Sequence, residues 1–292
     1  MIYLKQINLP GEKAEISFIQ NENRTCFNTF YPFKIFPDKR LCEIKFDSIT
    51  LFYGGNGSGK STLLNVIARK IDATRYTNFN YSPFFDRYVD MCSAEYFRRQ
   101  RRAFVLTSDD VFDYVLNARS VNVNIDEKRE ELIDKYIDTH VKAIKNPEIG
   151  LLRGLDDYER WKETRDILSP RHSQSEYVKS RVARDVDLFS NGETAMRYFV
   201  DRIEEEGIYL LDEPENSLSI EYQLELAEYI QATARTARTQ FIIATHSPIL
   251  LSMKDAKIYN LDSYPAECCE WTELPNVRKY FDFFMSHRDE FL

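Results

Sequence analysis

Two stretches, far apart in the chain, carry residue types that could handle a phosphate chain. The first is a glycine-rich run that satisfies G-x-x-x-x-G-K-S/T in full. With the residue that follows, it consists of Gly54, Gly55, Asn56, Gly57, Ser58, Gly59, Lys60, Ser61 and Thr62. Glycines let backbone N–H groups turn toward an anion without obstruction by side chains. Lys60 can reach the β- and γ-phosphates, and the Ser61 hydroxyl can ligate Mg²⁺. The run predicts a site for a nucleoside triphosphate.

The second stretch is an apolar run, Ile208–Leu211, that ends abruptly in Asp212 and Glu213. A buried strand of this kind places both carboxylates at the carboxyl edge of a parallel sheet, where ligands bind. We expect Asp212 to hold the Mg²⁺ shell and Glu213 to act as a general base on the attacking water. An acidic helix cap would account for one carboxylate more readily than for two.

A histidine follows another apolar run in the same way. His246 comes directly after the predicted strand Phe241–Ala244 and Thr245, and before Ser247-Pro248, a helix-start signal. This position puts His246 at the same sheet edge as Glu213, where it could hydrogen-bond the γ-phosphate or orient the water. A structural histidine is the alternative.

The elements that must position these residues follow from hydrophobic periodicity. Predicted strands are Ile2–Leu9, Ala14–Ile19, Cys42–Phe46, Ile49–Tyr53, Ala103–Leu106, Ile208–Leu211, Phe241–Ala244 and Ile258–Leu261. Predicted helices are Ser61–Lys70, Ala94–Arg102, Asp110–Ala118, Asp126–Ile144, Gly192–Glu206, Ser219–Ala234 and Asn276–Phe284. Buried strands that alternate with helices predict an α/β fold with a mostly parallel central sheet flanked by helices. The early strands predict an antiparallel N-terminal β part.

The charge-rich middle of the chain shows no strand pattern. We therefore predict an ATPase-type core from residues 1–118 and 185–292, and a helical insertion over residues 119–184 that serves as a lid, an arm or a partner-docking region. A length of 292 residues suits one large domain with an inserted subdomain.

Composition narrows the classes of partner and compartment. The net charge of −8 argues against binding nucleic acid by bulk electrostatics, although it leaves room for a local basic groove. The five cysteines lack metal-ligand spacing, which favours a reducing compartment. The sequence shows no signal peptide and no apolar run long enough to span a bilayer. We expect a cytoplasmic protein without a membrane partner.

Taken in order, these motifs resemble the ABC-type ATPase superfamily, and more narrowly its SMC/RecF-like branch with stand-alone bacterial relatives. In this resemblance, Gly54–Ser61 is the Walker A motif, Ile208–Glu213 is Walker B and His246 is the switch histidine. Asn216–Ser219 lies where the D-loop belongs. A signature motif precedes Walker B and distinguishes the chain from P-loop kinases and GTPases; it consists of Ser190, Asn191, Gly192 and Glu193.

The resemblance implies a P-loop NTPase fold of ABC type, ATP and Mg²⁺ as cofactors, and ATP hydrolysis. Glu213, His246 and Lys60 would be the catalytic residues. It also implies that two copies form a head-to-tail homodimer around two ATP molecules. Ser190, Asn191, Gly192 and Glu193 of one copy would then contact the ATP held by the other, since a helix N-terminus with a glycine and a hydroxyl favours an anion.

Three positions depart from the family pattern. Asn191 replaces the usual signature glycine, and Ser219 replaces the frequent D-loop aspartate. The strand Ala103–Leu106 leads into a polar segment where the superfamily places a Q-loop glutamine. Ser108 or Asp109 could serve the Mg²⁺ shell there, and a helix N-cap is an equally good interpretation.

Aromatic residues before the phosphate loop are candidates for contact with the adenine of ATP. Tyr31, Phe33 or Phe36 could stack on adenine, and a place in the hydrophobic core is the stronger interpretation for all three.

The resemblance leaves the biological role open. One hypothesis is a regulatory or motor ATPase that works with a nucleic acid or with an effector protein such as a nuclease or toxin, in antiviral defence. The alternative is an SMC/RecF-like ATPase of DNA repair or recombination that acts directly on DNA. Basic runs at Arg98–Arg102, beside Tyr96 and Phe97, and between Arg171 and Arg184 could contact phosphates, or form solvated faces. A transporter ATPase is disfavoured by the signature and the missing Q-loop glutamine.

Overall fold

The computed structural model describes residues 2–24, 26–98, 102–146, 158–169, 173–182, 191–203 and 206–291. The chain divides into two compact units. The first consists of residues 1–113 and 190–292 and contains both β-sheets, and the second consists of residues 114–189.

A six-stranded sheet forms the centre of the first unit. In spatial order its strands are β5 (Ala103–Thr107), β6 (Gly207–Asp212), β7 (Thr239–Thr245), β3 (Ile49–Tyr53), β8 (Lys257–Asn260) and β9 (Glu267–Cys268). The first five strands are parallel, and β9 pairs antiparallel with β8. Strand β7 lies between β3 and β6, so the carboxyl ends of all three strands meet at one edge. The mixed α/β fold with a mostly parallel central sheet is confirmed.

A smaller antiparallel sheet covers the N-terminal part. It contains β2 (Glu43–Lys45), β1 (Leu4–Asn8) and β4 (Ser93–Tyr96), with β1 in the middle. Gln240, fully buried on β7, joins the two sheets. Its Oε1 accepts the N–H groups of Tyr3 and Leu4 at 3.0 and 2.9 Å, and its Nε2 donates to the Leu4 carbonyl at 2.9 Å. The predicted N-terminal antiparallel β part is confirmed.

Helices complete both units. Within the first unit they are α1 (Glu12–Asn21), α2 (Lys60–Lys70), α3 (Phe85–Met91), α7 (Asn191–Arg202), α8 (Ile220–Thr236), α9 (Pro248–Leu251), α10 (Pro275–Ser286) and α11 (Arg288–Phe291). Helix α4 (Ser108–Lys145) begins in the first unit and continues into the second, which also contains α5 (Tyr158–Ile167) and α6 (Gln174–Lys179). Short 3-10 helices span Pro37–Lys39, Pro214–Ser217 and Trp271–Glu273.

The second unit is helical throughout its described part. A small apolar cluster of Leu132, Ile167, Tyr177 and Val178 holds its three helices together. Since most of α4 in this unit is exposed, the packing there is thin compared with the central sheet.

One predicted strand is a helix. We expected Ala14–Ile19 to be a strand because Ala14, Ile16 and Phe18 alternate with polar residues, and this prediction is wrong: the segment lies within α1. The buried face is set by Glu15, with Phe18 and Ile19 packed against the core, which is helical spacing. The Glu15 carboxylate accepts the Lys34 N–H through Oε2 at 2.6 Å, which offsets part of the cost of its burial.

Three helix predictions also need correction. The segment Ala94–Arg102, predicted to be helical, begins as strand β4, because its backbone pairs with β1. Phe97 continues this contact by donating its N–H to the Tyr3 carbonyl at 2.9 Å. Residues 99–101 lie outside the described part. The separate helices predicted at 110–118 and 126–144 form the single helix α4.

Candidate functional site

The glycine-rich run forms a tight loop between β3 and α2. Gly57 and Gly59 have φ values of 81° and 92°, in the left-handed region that favours glycine. Gly54 is required by close approach, because a Cβ there would lie 2.4 Å from the Ser58 hydroxyl oxygen. Asn56 is exposed at the outer part of the loop. The loop therefore has the strand, turn and helix context of a phosphate-binding loop.

The Lys60 ammonium lies inside this loop. Its side chain is only 4% exposed, and Nζ donates to the carbonyls of Gly54 and Gly55 at 2.7 and 3.2 Å. Nζ also lies 3.3 Å from Oε1 of Glu213. Residues 153 positions apart in sequence are thus in contact, because β7 lies between the strands that precede them and all three strands end at one edge. A phosphate oxygen that approached the loop would meet this ammonium.

Ser61 and Asp212 form the second contact across the edge. The Ser61 hydroxyl donates to Oδ1 of Asp212 at 2.9 Å. The pKa of Asp212 is raised to about 6, mainly by burial and also by the neighbouring Glu213 carboxylate. The Ser61 hydrogen bond, Arg75 and Lys60 oppose this rise. A hydroxyl and a carboxylate oxygen side by side are the hard ligands that Mg²⁺ takes, with water completing its shell. The two residues fit the predicted Mg²⁺ site.

Glu213 is held in an unusual backbone conformation. Its φ and ψ are 47° and 52°, in the left-handed region that a side chain rarely adopts. Its N–H donates to the Ala244 carbonyl at 2.9 Å, and Asn216 donates from Nδ2 to Oε2 at 3.0 Å. One carboxylate oxygen therefore faces Lys60 and the other faces Asn216. This geometry leaves Glu213 at the end of β6 with its orientation fixed.

His246 lies beside two carboxylates. Its Nδ1 is 3.2 Å from Oε1 of Glu215 and 3.8 Å from Oε1 of Glu213, and its side chain is 45% exposed. The structure thus brings the predicted histidine to the same edge as Lys60 and Glu213.

Glu215 is a site residue that the sequence analysis missed. It is 5% exposed, and its Oε1 accepts the Thr245 hydroxyl at 2.7 Å and the N–H groups of His246 and Ser247 at 2.7 and 3.2 Å. Its Oε2 is buried without a hydrogen-bond partner among the described residues. An acid inside the segment 212–216 was the available signal, but the spacing alone does not reveal that this side chain turns toward the next strand.

Arg75 was also missed. Its half-buried guanidinium donates from Nε to the Thr77 carbonyl at 2.8 Å, contacts the side-chain oxygen of Asn65 and lies 5.0 Å from the centre of the Phe79 ring. Burial lowers the pKa of Arg75, and the Asp212 carboxylate is the strongest influence that opposes this change. Arg75 lies in a loop after α2, and no sequence motif surrounds it.

A third missed residue contacts the phosphate loop directly. Asp262, two residues beyond the end of β8, accepts the Gly55 N–H through Oδ2 at 2.8 Å. The sequence did not indicate Asp262 as a site residue, because the segment after β8 carries no recognisable motif.

The three aromatic candidates for contact with adenine differ in how deeply they are buried. Phe33 and Phe36 are buried in the core, where Phe33 stacks on Phe18 with ring centres 4.6 Å apart. Tyr31 is half-buried and donates its hydroxyl to Oγ1 of Thr62 at 3.1 Å. Of the three, Tyr31 is the one that is only partly buried, and its contact with adenine remains a prediction.

The polar segment after β5 forms a helix cap. The N–H and hydroxyl of Thr107 donate to Oδ2 of Asp110 at 2.7 and 2.8 Å, and Asp110 donates its N–H back to the Thr107 hydroxyl at 3.1 Å. This arrangement agrees with the helix-cap interpretation. Ser108 is half-buried and Asp109 is exposed, and a role for either in the Mg²⁺ shell remains a prediction.

The predicted signature motif lies at the start of α7. Ser190 and the side chain of Asn191 are outside the described residues. Gly192 has a local reason to be glycine, because a Cβ there would lie 2.6 Å from Cδ2 of Tyr222 on α8. Glu193 is exposed in the first turn of α7. The proposed contact of these residues with a second copy's ATP remains a prediction.

The parallel sheet, the phosphate loop and the carboxylates at one edge define the fold of a P-loop nucleotide-binding protein. A protein-family model described as "AAA domain, putative AbiEii toxin, Type IV TA system" matches residues 99–252, more than half of the chain. The chain belongs to this family. The matched segment begins after the phosphate loop and includes Asp212, Glu213, Glu215 and His246.

Comparison with curated proteins gave no match. Among solved structures, the chain is similar to the Smc head domain of Pyrococcus furiosus bound to the C-terminal domain of ScpA, at 14% identity over 99% of this chain and 100% of that chain (TM-score 0.42). It is similar to the SMC head domain from Thermotoga maritima at 14% identity over 91% and 98% (TM-score 0.40). A putative metal-chelate type ABC transporter gives 18% identity over 80% and 76% (TM-score 0.39). Each likeness is weak.

In the part of the chain that the structure describes, no helix is both long and apolar enough to cross a membrane.

Proposed function

We propose that this chain binds ATP with Mg²⁺, hydrolyses it to ADP and phosphate, and uses the cycle to control a partner. The observation that carries the proposal is the convergence of Lys60, Ser61, Asp212, Glu213 and His246 at the carboxyl edge of one sheet. Each of these residues supplies a different requirement of phosphoryl transfer to water.

The residues divide the chemistry between them. The loop N–H groups and Lys60 bind the β- and γ-phosphates. Ser61 and Asp212 would hold Mg²⁺, which would neutralise charge on the phosphates. Glu213 accepts a proton from water as its oxygen attacks the γ-phosphorus, and the bond between this phosphorus and the bridging oxygen of ADP breaks. The contact between Lys60 and Glu213 supports this assignment, because it places the base next to the phosphate site.

His246 completes the site in this proposal. Because Nδ1 faces Glu215 and Glu213, Nε2 is the ring nitrogen available to the γ-phosphate or to the attacking water. The last contacts come from a second copy: the N-terminus of α7, with Ser190, Asn191, Gly192 and Glu193, faces the ATP of its partner in a head-to-tail homodimer.

A protein effector is the favoured partner. Helix α10 exposes an aromatic surface formed by Tyr280, Phe281, Phe283 and Phe284, each between 54% and 56% exposed. Aromatic side chains are enriched where proteins contact each other, and contiguous exposed patches mark such contacts. A nuclease or toxin held in check by the nucleotide state, in antiviral defence, is consistent with the family's description, which names a toxin.

Direct action on DNA, in repair or recombination, is the second candidate. The observation in its favour is the basic run that starts at Arg98, although residues 99–101 lie outside the described part. The net charge of −8 weighs against it. A transporter subunit remains the least favoured role.

Phosphate release from ATP by the purified chain tests the core of the proposal. We expect Mg²⁺-dependent release that stops when EDTA is added. Stimulation by DNA or RNA would favour the second candidate. Co-purification of a soluble protein with the Glu213→Gln variant, without such stimulation, would favour the effector. Purified chain that binds ATP but releases no phosphate, alone or with partners, would contradict hydrolysis.

A further inference from the structure

We infer that Asp262 is a positioning residue for Lys60, acting through the Gly54–Gly55 peptide. The inference rests on the proposed ATP binding and adds a residue from outside the motifs of the site. Asp262 follows β8, and Lys60 opens α2 after β3. The two side chains meet opposite ends of one peptide group.

The geometry of that peptide carries the inference. Its N–H belongs to Gly55 and donates to Oδ2 of Asp262 at 2.8 Å, and its carbonyl belongs to Gly54 and accepts from Nζ of Lys60 at 2.7 Å. Because a peptide group is planar, holding the N–H also fixes the direction of the C=O. A carboxylate on the N–H polarises the group and strengthens the acceptor that faces the ammonium.

The fold places Asp262 there. Strands β3 and β8 pair in parallel with Tyr53 opposite Asn260, and the Leu261 N–H continues the pairing to the Tyr53 carbonyl at 2.8 Å. The residues that follow each strand are therefore neighbours. Asn260 orients the turn by accepting the Asp262 N–H through Oδ1 at 2.9 Å.

The two glycines of this peptide make the hydrogen bond to Asp262 necessary. Gly54 and Gly55 have no side chains to restrict rotation, so this peptide could turn over and remove the Gly54 carbonyl from Lys60. The approach of Asp262 is also close: a Cβ on Gly54 would lie 3.1 Å from its Oδ1, and a Cβ on Gly55 would lie 3.6 Å from its Oδ2.

The charge of the Asp262 carboxylate has a second effect, which opposes the benefit of positioning Lys60. Asp262 is exposed and negatively charged beside a loop that must accept a triphosphate, so its charge repels the ligand. If repulsion dominated, removing the carboxylate would tighten ATP binding. If positioning dominates, as we infer, removing it weakens binding.

Two variants separate these effects. Asp262→Asn removes the charge and retains an oxygen that can accept the Gly55 N–H, whereas Asp262→Ala removes both. Asp255→Asn is the matched control, because Asp255 precedes β8 at the opposite end of the strand and is exposed. Its φ of 61° suits asparagine, which tolerates the left-handed region.

The measurement is the Kd of MgATP by titration calorimetry with the full chain, together with kcat and KM for phosphate release. We expect Asp262→Ala to weaken MgATP binding about tenfold, the scale of one hydrogen bond to a charged group. Asp262→Asn should stay within about threefold of wild type, since it keeps the acceptor. Melting temperatures without nucleotide should be the same for all variants, which separates positioning from loss of fold.

Each other result has a defined meaning. Unchanged or tighter binding by Asp262→Ala overturns the inference, and equal weakening by Asp262→Asn overturns the hydrogen-bond account. If wild type and Asp255→Asn bind no MgATP, the proposed function fails, and the inference fails with it. Failure of the proposed function can be told apart from failure of the inference, because it is seen in wild type and in the control, which both retain Asp262.

Discussion

Glu215 accepts the backbone N–H of His246 at 2.7 Å, and the same carboxylate oxygen lies 3.2 Å from Nδ1 of its ring. One buried acid thus holds the main chain of the histidine and lies beside its ring. Because the neutral imidazole carries one proton, a carboxylate next to Nδ1 favours the tautomer with the proton on Nδ1. Glu215 thereby connects the turn after β6 with the loop after β7.

We expect Glu215→Gln to lower kcat about tenfold with little change in KM, since the charge that orients His246 is lost while the backbone acceptor remains. Nitrogen NMR of the imidazoles reads the tautomer directly, and the chain contains only four histidines. The His246 signals are assigned from their absence in His246→Gln.

The control is Glu228→Gln, a change of the same kind at an exposed position on α8. Glu228→Gln should leave kcat and the tautomer unchanged. A wild-type His246 ring with its proton on Nε2, or a tautomer that does not respond to Glu215→Gln, would contradict the assignment.

Glu213→Gln should lower kcat by about 100-fold or more, because the general base is removed while the phosphate contacts remain. The variant should still bind MgATP, and light scattering should show an ATP-dependent dimer that persists. Glu221→Gln, an exposed change nearby on α8, serves as the control. A Glu213→Gln variant that remains monomeric in excess ATP would argue against the head-to-tail dimer.

Lys60→Ala should weaken MgATP binding by at least about tenfold, because a buried ammonium that binds phosphate oxygens is lost. Lys70→Ala is the matched control at the other end of α2, where Nζ donates to the Val89 carbonyl at 3.1 Å. Calorimetric Kd values for both variants check the prediction. Similar weakening by both changes would point to the stability of the helix, not to a specific contact.

Asp212 should make the stability of the Mg²⁺-free protein depend on pH. Burial raises its pKa from 3.8 to about 6, so the folded state holds the proton more tightly than the unfolded chain. The stabilising contribution is therefore complete below about pH 3.8 and is lost as the pH rises through about 6. We expect Asp212→Asn, which removes this titration, to be more stable than wild type at pH 7.5.

Melting temperatures in EDTA between pH 4.5 and 7.5 check this prediction. The advantage of Asp212→Asn over wild type should shrink steadily toward the acidic end. Asp201→Asn, at an exposed position on α7, should show no such trend. A difference between wild type and Asp212→Asn that stays constant across the range would contradict the raised pKa.

Long apolar runs and fixed motif spacing made much of the fold predictable. The runs that form β3, β6 and β7 are buried on both faces. Their continuous apolar sequence therefore predicts a strand without knowledge of the segments that pack against it. The prediction failed where partners decide the structure: Ser93–Tyr96 is a strand because β1 pairs with it, and the segment around Glu15 is a helix because its buried face has helical spacing.

The sequence by itself determined that a phosphate loop precedes a helix, that Asp212 and Glu213 stand at the end of one buried strand, and that His246 follows another. Local chemistry was sufficient there, because glycines, a lysine and terminal acids act at fixed spacing along the chain. Only the tertiary structure shows that Glu215, Arg75 and Asp262 lie at the site. The order of strands in a sheet is set by packing between distant segments, so which residues become neighbours at the sheet edge is not written in local spacing.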